Sequence, residues 1–305
     1  MHSDMPYYEQ ALAFACGADS LPAIVTLPQQ PGPRGVLVIV GGPQYRAGSH
    51  RQFTLLARSL AAQGIPVMRF DARGMGDGEG TPRTFEDIGA DVRAAADCFM
   101  QAVPGLRDIV LWGLCDGAAA AMLYGADDAR VSGLVLLNPW ARDEGRLAKT
   151  MLKHYYLRRL VDPALWRKIL SGRFDVRGSA ASLAEQVRKV LQQTPSAAVT
   201  VTALPDDLLS VHAAPAAVPP PAPPLGPRLY AGLQRFHGPV LFVISPADMT
   251  AMEFQELAGS TKAWRKLMQA PRITRRELPG ADHTFSSRAW RDQVAEWTGQ
   301  WLRSW

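Results

Sequence analysis

The five residues Gly113-Leu114-Cys115-Asp116-Gly117 constrain this chain more than any other segment. They follow Asp108-Ile109-Val110-Leu111-Trp112, which reads as a short buried strand, and precede Ala118-Ala119-Ala120-Ala121-Met122-Leu123, which reads as a helix. A strand that passes straight into a helix through G-x-C-x-G makes a sharp, strained turn with the cysteine at its apex. A side chain two residues before or after the apex would collide with the neighbouring strand or helix, which accounts for both glycines. The turn exposes the sulfur and aims the N-terminus of the following helix at it, where the helix dipole favours a thiolate and any oxyanion beside it.

The rest of the chain supplies the frame for such a turn. Residues 11–16 and 21–27 read as two strands joined by Gly17-Ala18-Asp19-Ser20, a hairpin. Gly35-Val36-Leu37-Val38-Ile39-Val40 is a continuous apolar run, the mark of a strand covered on both faces. Residues 49–63 read as a helix with Ser49 as its N-cap, and 65–70 as the next strand. Residues 84–100 read as a helix opened by Thr84 and Asp87 in the manner of a capping box. Strand 108–112, helix 117–125 and strand 131–138 follow; the pattern resumes with strand 239–245, a helix near 252–268, strand 273–278 and a last helix over 286–301. Alternating apolar strands and helices predict an α/β fold with a mostly parallel central sheet and helices on both faces.

Between Asn138-Pro139 and residue 237 the strand pattern is lost. The expected organisation is therefore a core of residues 1–139 and 238–305, interrupted between its sixth and seventh strands by a helical cap over 140–237. The cap contains a basic helix at 146–170 and a Pro/Ala-rich segment at 213–227. That segment lacks the N–H groups and free φ angles of a helix or central strand and reads as an extended linker exposed to proteases.

A cysteine nucleophile requires a base and an acid that orients it. Asp248 lies just past the apolar run 240–244, and His283 lies just past strand 273–278, in the chain order nucleophile, acid, histidine. Asp282 is the rival acid, but adjacent side chains on one loop rarely form the required hydrogen bond, so Asp248 is preferred. The oxyanion donors are expected to be the backbone N–H of Asp116 and one N–H from Gly41-Gly42-Pro43-Gln44-Tyr45-Arg46. Pro43 has no N–H, which leaves Gly42 as the first choice and Gln44 as the second. Tyr45, Arg46 and His50 lie close enough in sequence to touch substrate. Asp71-Ala72-Arg73-Gly74-Met75-Gly76-Asp77 reads as a structural loop in which Arg73 pairs with Asp71 or Asp77, and no G-x-G-x-x-G opens a dinucleotide site. The cysteines and histidines lack ligand spacing, so neither a metal nor another cofactor is expected.

Over nearly its whole length the chain resembles the α/β-hydrolase superfamily. More narrowly, the segments 41–51, 71–77 and 113–118 together resemble the exosortase A system-associated hydrolases, which are encoded beside exopolysaccharide and exosortase genes in Gram-negative bacteria. The resemblance implies a hydrolase fold with a cap in the insertion and an exopolysaccharide setting, and it implies no particular substrate.

Cysteine chemistry implies an acyl-cysteine thioester. Its acceptor is water in an esterase or thioesterase, or an amine or hydroxyl in an acyltransferase. Dienelactone hydrolases use cysteine in this fold for hydrolysis, and bile-acid acyltransferases use it for transfer. Residues 146–168 carry Arg146, Lys149, Lys153, Arg158, Arg159, Arg167 and Lys168 against Asp162 alone. That charge, with the formal net charge of +5, suits either a solvated lid or an anionic partner. The anionic partner is a CoA-type or carrier-bound acyl donor held by Arg158 and Arg159, or an anionic membrane surface. A non-enzymatic protein docking at the membrane through this face is the rival to an enzyme. Nucleic acid is not expected, because no binding motif accompanies the charge. Three cysteines make no disulfide framework, the N-terminus shows no leader pattern, and no apolar run reaches the roughly 18 residues of a span. The expected location is cytoplasmic, with peripheral contact at the inner membrane. Cys16 and Cys98 lie in apolar stretches and read as inert core thiols.

Overall fold

The computed structural model describes residues 6–42, 44–141 and 223–305. The basic helix expected over 146–170, with Arg158 and Arg159, lies outside the described residues, as does most of the Pro/Ala-rich segment. The strands are β1 (Tyr7–Cys16), β2 (Asp19–Pro28), β3 (Arg34–Ile39), β4 (Val67–Phe70), β5 (Asp108–Leu114), β6 (Val131–Leu137), β7 (Val240–Ile244) and β8 (Ile273–Glu277). They form one eight-stranded sheet in the order β1-β2-β4-β3-β5-β6-β7-β8. β1 and β2 form an antiparallel hairpin, β2 joins β4 antiparallel, and the six strands from β4 to β8 run parallel.

The apolar runs explain why the middle of the sheet is parallel. In β3, Leu37 and Ile39 face one core while Val36 and Val38 face the other; in β5, Ile109 and Leu111 oppose Val110 and Trp112 in the same way. A strand buried on both faces needs helices on both sides, which parallel crossovers provide. The described helices are α1 (Gln52–Ala61), α2 (Gly89–Ala102), α3 (Asp116–Tyr124), α4 (Leu225–Arg235), α5 (Met249–Gly259), α6 (Lys262–Met268) and α7 (Arg288–Leu302). α1 and α7 cover one face through Phe53, Leu56, Leu60, Val294 and Trp301. α2, α3, α4, α5 and α6 cover the other through Phe99, Met122, Leu229, Phe254 and Trp264. Full burial of each large side chain of this kind stabilises the fold by roughly 1.5–3 kcal/mol.

Several boundaries differ from the sequence expectation. Residues 84–88 form a turn, in which Thr84 Oγ1 donates to Asp87 at 2.9 Å, and the helix begins only at Gly89. The Thr84–Asp87 pair is thus a local turn ahead of the helix rather than its cap. Ser49 does not cap a continuous helix either. It opens a short 3₁₀ turn, and His50 and Arg51 take φ values of 52° and 60° before α1 starts at Gln52. The helix expected near 252–268 is two helices, because Thr261 restarts the chain by accepting from the Trp264 N–H at 3.1 Å. Residues 225–237, assigned to the cap from sequence, belong with the sheet: α4 buries Leu229 and Leu233 against its core. Pro227 concealed this helix. It sits in the first turn, where the N–H that proline lacks has no intrahelical partner anyway.

Candidate active site

β5 ends at Leu114 and α3 begins at Asp116, so Cys115 alone makes the turn between them. Its backbone is held at φ 60° and ψ −122°, a sparsely populated conformation for a residue with a side chain. Such strain costs on the order of 1–3 kcal/mol and persists where the surroundings over-determine it. Here they do. The Cys115 N–H donates to the Leu137 carbonyl at 2.9 Å, and its carbonyl accepts from the N–H groups of Ala118, Ala119 and Trp140 at 3.0–3.1 Å. The flanking glycines have no alternative. A Cβ on Gly113 would stand 2.5 Å from the Ala118 nitrogen, and one on Gly117 would stand 2.5 Å from the Ile39 carbonyl oxygen.

The other two candidate residues come from loops at the same end of the sheet. Asp248 follows β7 and caps α5, its Oδ2 accepting from the Ala251 N–H at 2.9 Å. The same oxygen lies 3.0 Å from Nδ1 of His283, which follows β8. Asp282, the rival acid, turns the other way and accepts from the N–H groups of Thr284 and Ser286 at 3.2 and 2.9 Å, which closes its own loop. Hydrogen bonds to Asp248 first, and to Cys115 second, raise the His283 pKa to about 10 against the opposing effect of burial. The imidazole is thus flanked by the Asp248 carboxylate and the Cys115 sulfur, both of which favour its charged form.

Asn138, which sequence reasoning passed over, ties these loops together. It lies at the end of β6, fully buried, with φ 39°. Its Nδ2 donates to the His283 carbonyl at 3.0 Å, and its Oδ1 accepts from the Ser245 N–H at 2.8 Å. Ser245 Oγ in turn donates to the Ala281 carbonyl. The only signal in the sequence is an asparagine just past a strand, a residue type that tolerates positive φ; its two partners lie far away in sequence. Asn138→Ala should leave the buried Ser245 N–H unpaired and lower stability by about 1–3 kcal/mol, measured as a shift of the urea midpoint without loss of the folded baseline.

The loop after β3 departs from expectation in detail. The Gly42 N–H, at φ 62°, donates to Asp116 Oδ2 at 2.6 Å. The Gln44 N–H is taken up by the Gly42 carbonyl at 2.7 Å, which argues against Gln44 as an oxyanion donor. Asp116 Oδ1 accepts from the Gly117 N–H at 3.0 Å, and the Asp116 N–H also favours the carboxylate. Burial nonetheless raises the Asp116 pKa, with these hydrogen bonds and the His283 charge opposing it.

Arg46 forms ion pairs with the buried Asp71 and, at 2.9 Å, with Asp77, while Tyr45 donates to Asp77 at 2.8 Å. The Arg46 guanidinium thus ties loop 44–48 to loop 71–77, and Tyr45 presents an exposed ring. Arg73 pairs with neither Asp71 nor Asp77; it forms a bidentate pair with buried Asp91 at 3.0 and 2.8 Å, because Asp71 faces Arg46. His50 is exposed at the 3₁₀ turn. Among the described residues no group of three His, Cys, Asp or Glu side chains is placed to hold a metal ion, and no helix is long and apolar enough to cross a membrane.

A parallel sheet with a strained strand-to-helix turn and an acid and a histidine at the ends of the last two strands defines the α/β-hydrolase class. The chain belongs to the alpha/beta hydrolase family, whose model matches residues 36–297. Curated protein sequences contain no match. Among solved structures, the esterase Pf2001 of Pyrococcus furiosus superposes with a TM-score of 0.60 at 14% identity, covering 99% of this chain and 93% of that one. Est1E from Butyrivibrio proteoclasticus, solved with ferulic acid bound, gives 0.58 at 16% identity over 96% and 98%. A dienelactone hydrolase from Anabaena variabilis gives 0.54 at 12% identity over 97% of each chain. At these identities the likeness concerns the fold.

Proposed function

We propose that this α/β-hydrolase is a cysteine-dependent acyl hydrolase, acting on esters or thioesters through Cys115, His283 and Asp248. The observation that carries this reading is the 3.0 Å contact between His283 Nδ1 and Asp248 Oδ2, with Cys115 at the strained turn after β5 close enough to help raise the His283 pKa. An imidazolium facing a sulfur is the partner that favours a thiolate. The thiolate attacks the acyl carbonyl carbon, and the electron pair of the C=O moves to oxygen, which the N–H groups of Gly42 and Asp116 stabilise. Collapse of the tetrahedral intermediate expels the alcohol or thiol, which takes its proton from His283. The neutral imidazole then removes a proton from water, which hydrolyses the acyl-cysteine and restores the ion pair. Asp248 holds the ring so that its other nitrogen serves the sulfur. An amine or hydroxyl in place of water gives an acyltransferase from the same intermediate. We place the activity in an exopolysaccharide and exosortase setting on the strength of the motifs at 41–51, 71–77 and 113–118, with an anionic donor or membrane surface as the partner of the basic segment 146–168.

The test is a panel of p-nitrophenyl esters and acyl thioesters, with and without an added amine, followed by mass spectrometry of the intact protein. An acyl adduct on Cys115 supports the reading; turnover with no adduct in rapid-quench samples, and none on Cys115 after digestion, overturns it. Iodoacetamide offers a second check. Burial raises the pKa of both Cys16 and Cys98, which keeps them as thiols. Cys115 should therefore be alkylated at least about tenfold faster than either, as read by peptide mass spectrometry of the native protein; comparable labelling of all three would remove its claim to be the nucleophile.

A further inference from the structure

One of the two N–H groups expected to stabilise an oxyanion, that of Gly42, already holds a carboxylate oxygen. The Gly42 N–H donates to Asp116 Oδ2 at 2.6 Å, the Gly117 N–H donates to Oδ1 at 3.0 Å, and the Asp116 N–H also favours its own carboxylate. Asp116 follows Cys115 directly in the chain, and its carboxylate lies within the electrostatic reach of His283. No side chain of the β3 loop intervenes, because Gly41 and Gly42 have none; a Cβ on Gly42 would itself stand 3.8 Å from Oδ2. A substrate carbonyl that takes the N–H groups of Gly42 and Asp116 meets a resident competitor there.

We infer that the Asp116 carboxylate is an internal ligand of the oxyanion hole, which acyl substrates must displace before Cys115 can be acylated. The inference rests on the acyl-transfer reading and adds a residue that determines which substrates enter: only a carbonyl able to outcompete a carboxylate for the Gly42 N–H reacts. Charge-assisted hydrogen bonds are roughly twice as strong as neutral ones, so a neutral carbonyl displaces this ligand at a disadvantage. The intermediate, whose oxygen is itself anionic, suffers less of one. Asp116 in this role slows encounters with weakly polarised carbonyls and protects a reactive thiolate from adventitious acylation. A merely structural role makes the opposite prediction. If Asp116 is needed to pin the Gly42 loop to the turn, its removal loosens the hole and slows acylation.

Two reactions of the same sulfur separate these cases. Acetylation by p-nitrophenyl acetate passes through an oxyanion; alkylation by iodoacetamide displaces iodide at a CH₂ group and forms none. Wild type, Asp116→Asn and Asp116→Ala are compared by the single-turnover acetylation rate and the alkylation rate of Cys115, both read by mass spectrometry. Their ratio cancels changes in thiolate reactivity. The expected result is a rise in the acetylation-to-alkylation ratio of about tenfold or more in Asp116→Ala, with Asp116→Asn between it and wild type, because the amide oxygen still accepts but carries no charge. A ratio that stays level or falls in both variants, with their circular dichroism spectra unchanged, overturns the inference and leaves the acyl-transfer reading standing. If Asp116→Ala does not fold, the asparagine variant decides by the same criterion. Alkylation of Cys115 without acetylation in any of the three proteins overturns the acyl-transfer reading, and the internal ligand with it.

Discussion

Replacing Cys115 with alanine is expected to abolish the acyl adduct and to lower kcat/KM for activated esters by about 10⁴–10⁶-fold, the loss seen when one member of a nucleophile, base and acid set is removed. In the proposed reaction the acyl group bonds to this sulfur; the adjacent Asp116 carboxylate is tied to the N–H groups of Gly42 and Gly117. The fold should survive, because Cys115 is only half-buried and its backbone rather than its sulfur carries the bonds to Leu137, Ala118, Ala119 and Trp140. Cys115→Ser should keep weak activity: the hydroxyl fits the turn, but it is a weaker nucleophile than a thiolate and depends more on its base. Rates above the buffer background in the alanine variant, comparable to wild type, would place the chemistry elsewhere.

Asp248→Asn should be the next most damaging change, lowering the acylation rate by about 10²–10⁴-fold, while Asp282→Asn should stay close to wild type. The amide presents the wrong partner to His283 Nδ1 and removes the largest cause of its raised pKa. The sign of the pH effect follows. The folded-state pKa, about 10, lies above the ordinary 6.5. His283 therefore contributes stability that is fully present below pH 6.5 and is lost as pH rises through about 10. In Asp248→Asn that loss should move to lower pH. Parallel thermal melts of the two proteins between neutral and alkaline pH check this, and an Asp282→Asn variant that behaves like Asp248→Asn would reassign the acid.

The fold was legible in the sequence because its strands are apolar on both faces. Val36 to Ile39 and Ile109 to Trp112 could only be buried between two layers of helices, and their order along the chain left a parallel sheet. The candidate site was legible in part. Strand ends point to Cys115, Asp248 and His283 by local pattern, and the pairing of His283 with Asp248 rather than Asp282 follows from loop geometry. What was hidden depends on partners far away in the chain. Nothing near Asn138 announces that it bonds residues 245 and 283. Arg73 chose Asp91 over nearer acids because Asp71 had turned inward to Arg46. Helix α4 hid behind a proline, since a residue that breaks most helices is harmless in the first turn.

The strand that delivers His283 is the outermost of the sheet. β8 is bonded on one side only, and its Arg275, Arg276 and Glu277 are exposed, whereas β5, which delivers Cys115, is buried along nearly its whole length. Border strands open more readily than central ones. An imidazole hung from such a border would wander relative to a stationary sulfur. The Asn138 side chain removes that slack, because it fastens the His283 carbonyl to the end of β6, two strands further inward. The alignment of imidazole and sulfur is thus inherited from the interior of the sheet, and the fraying of its rim is decoupled from the chemistry.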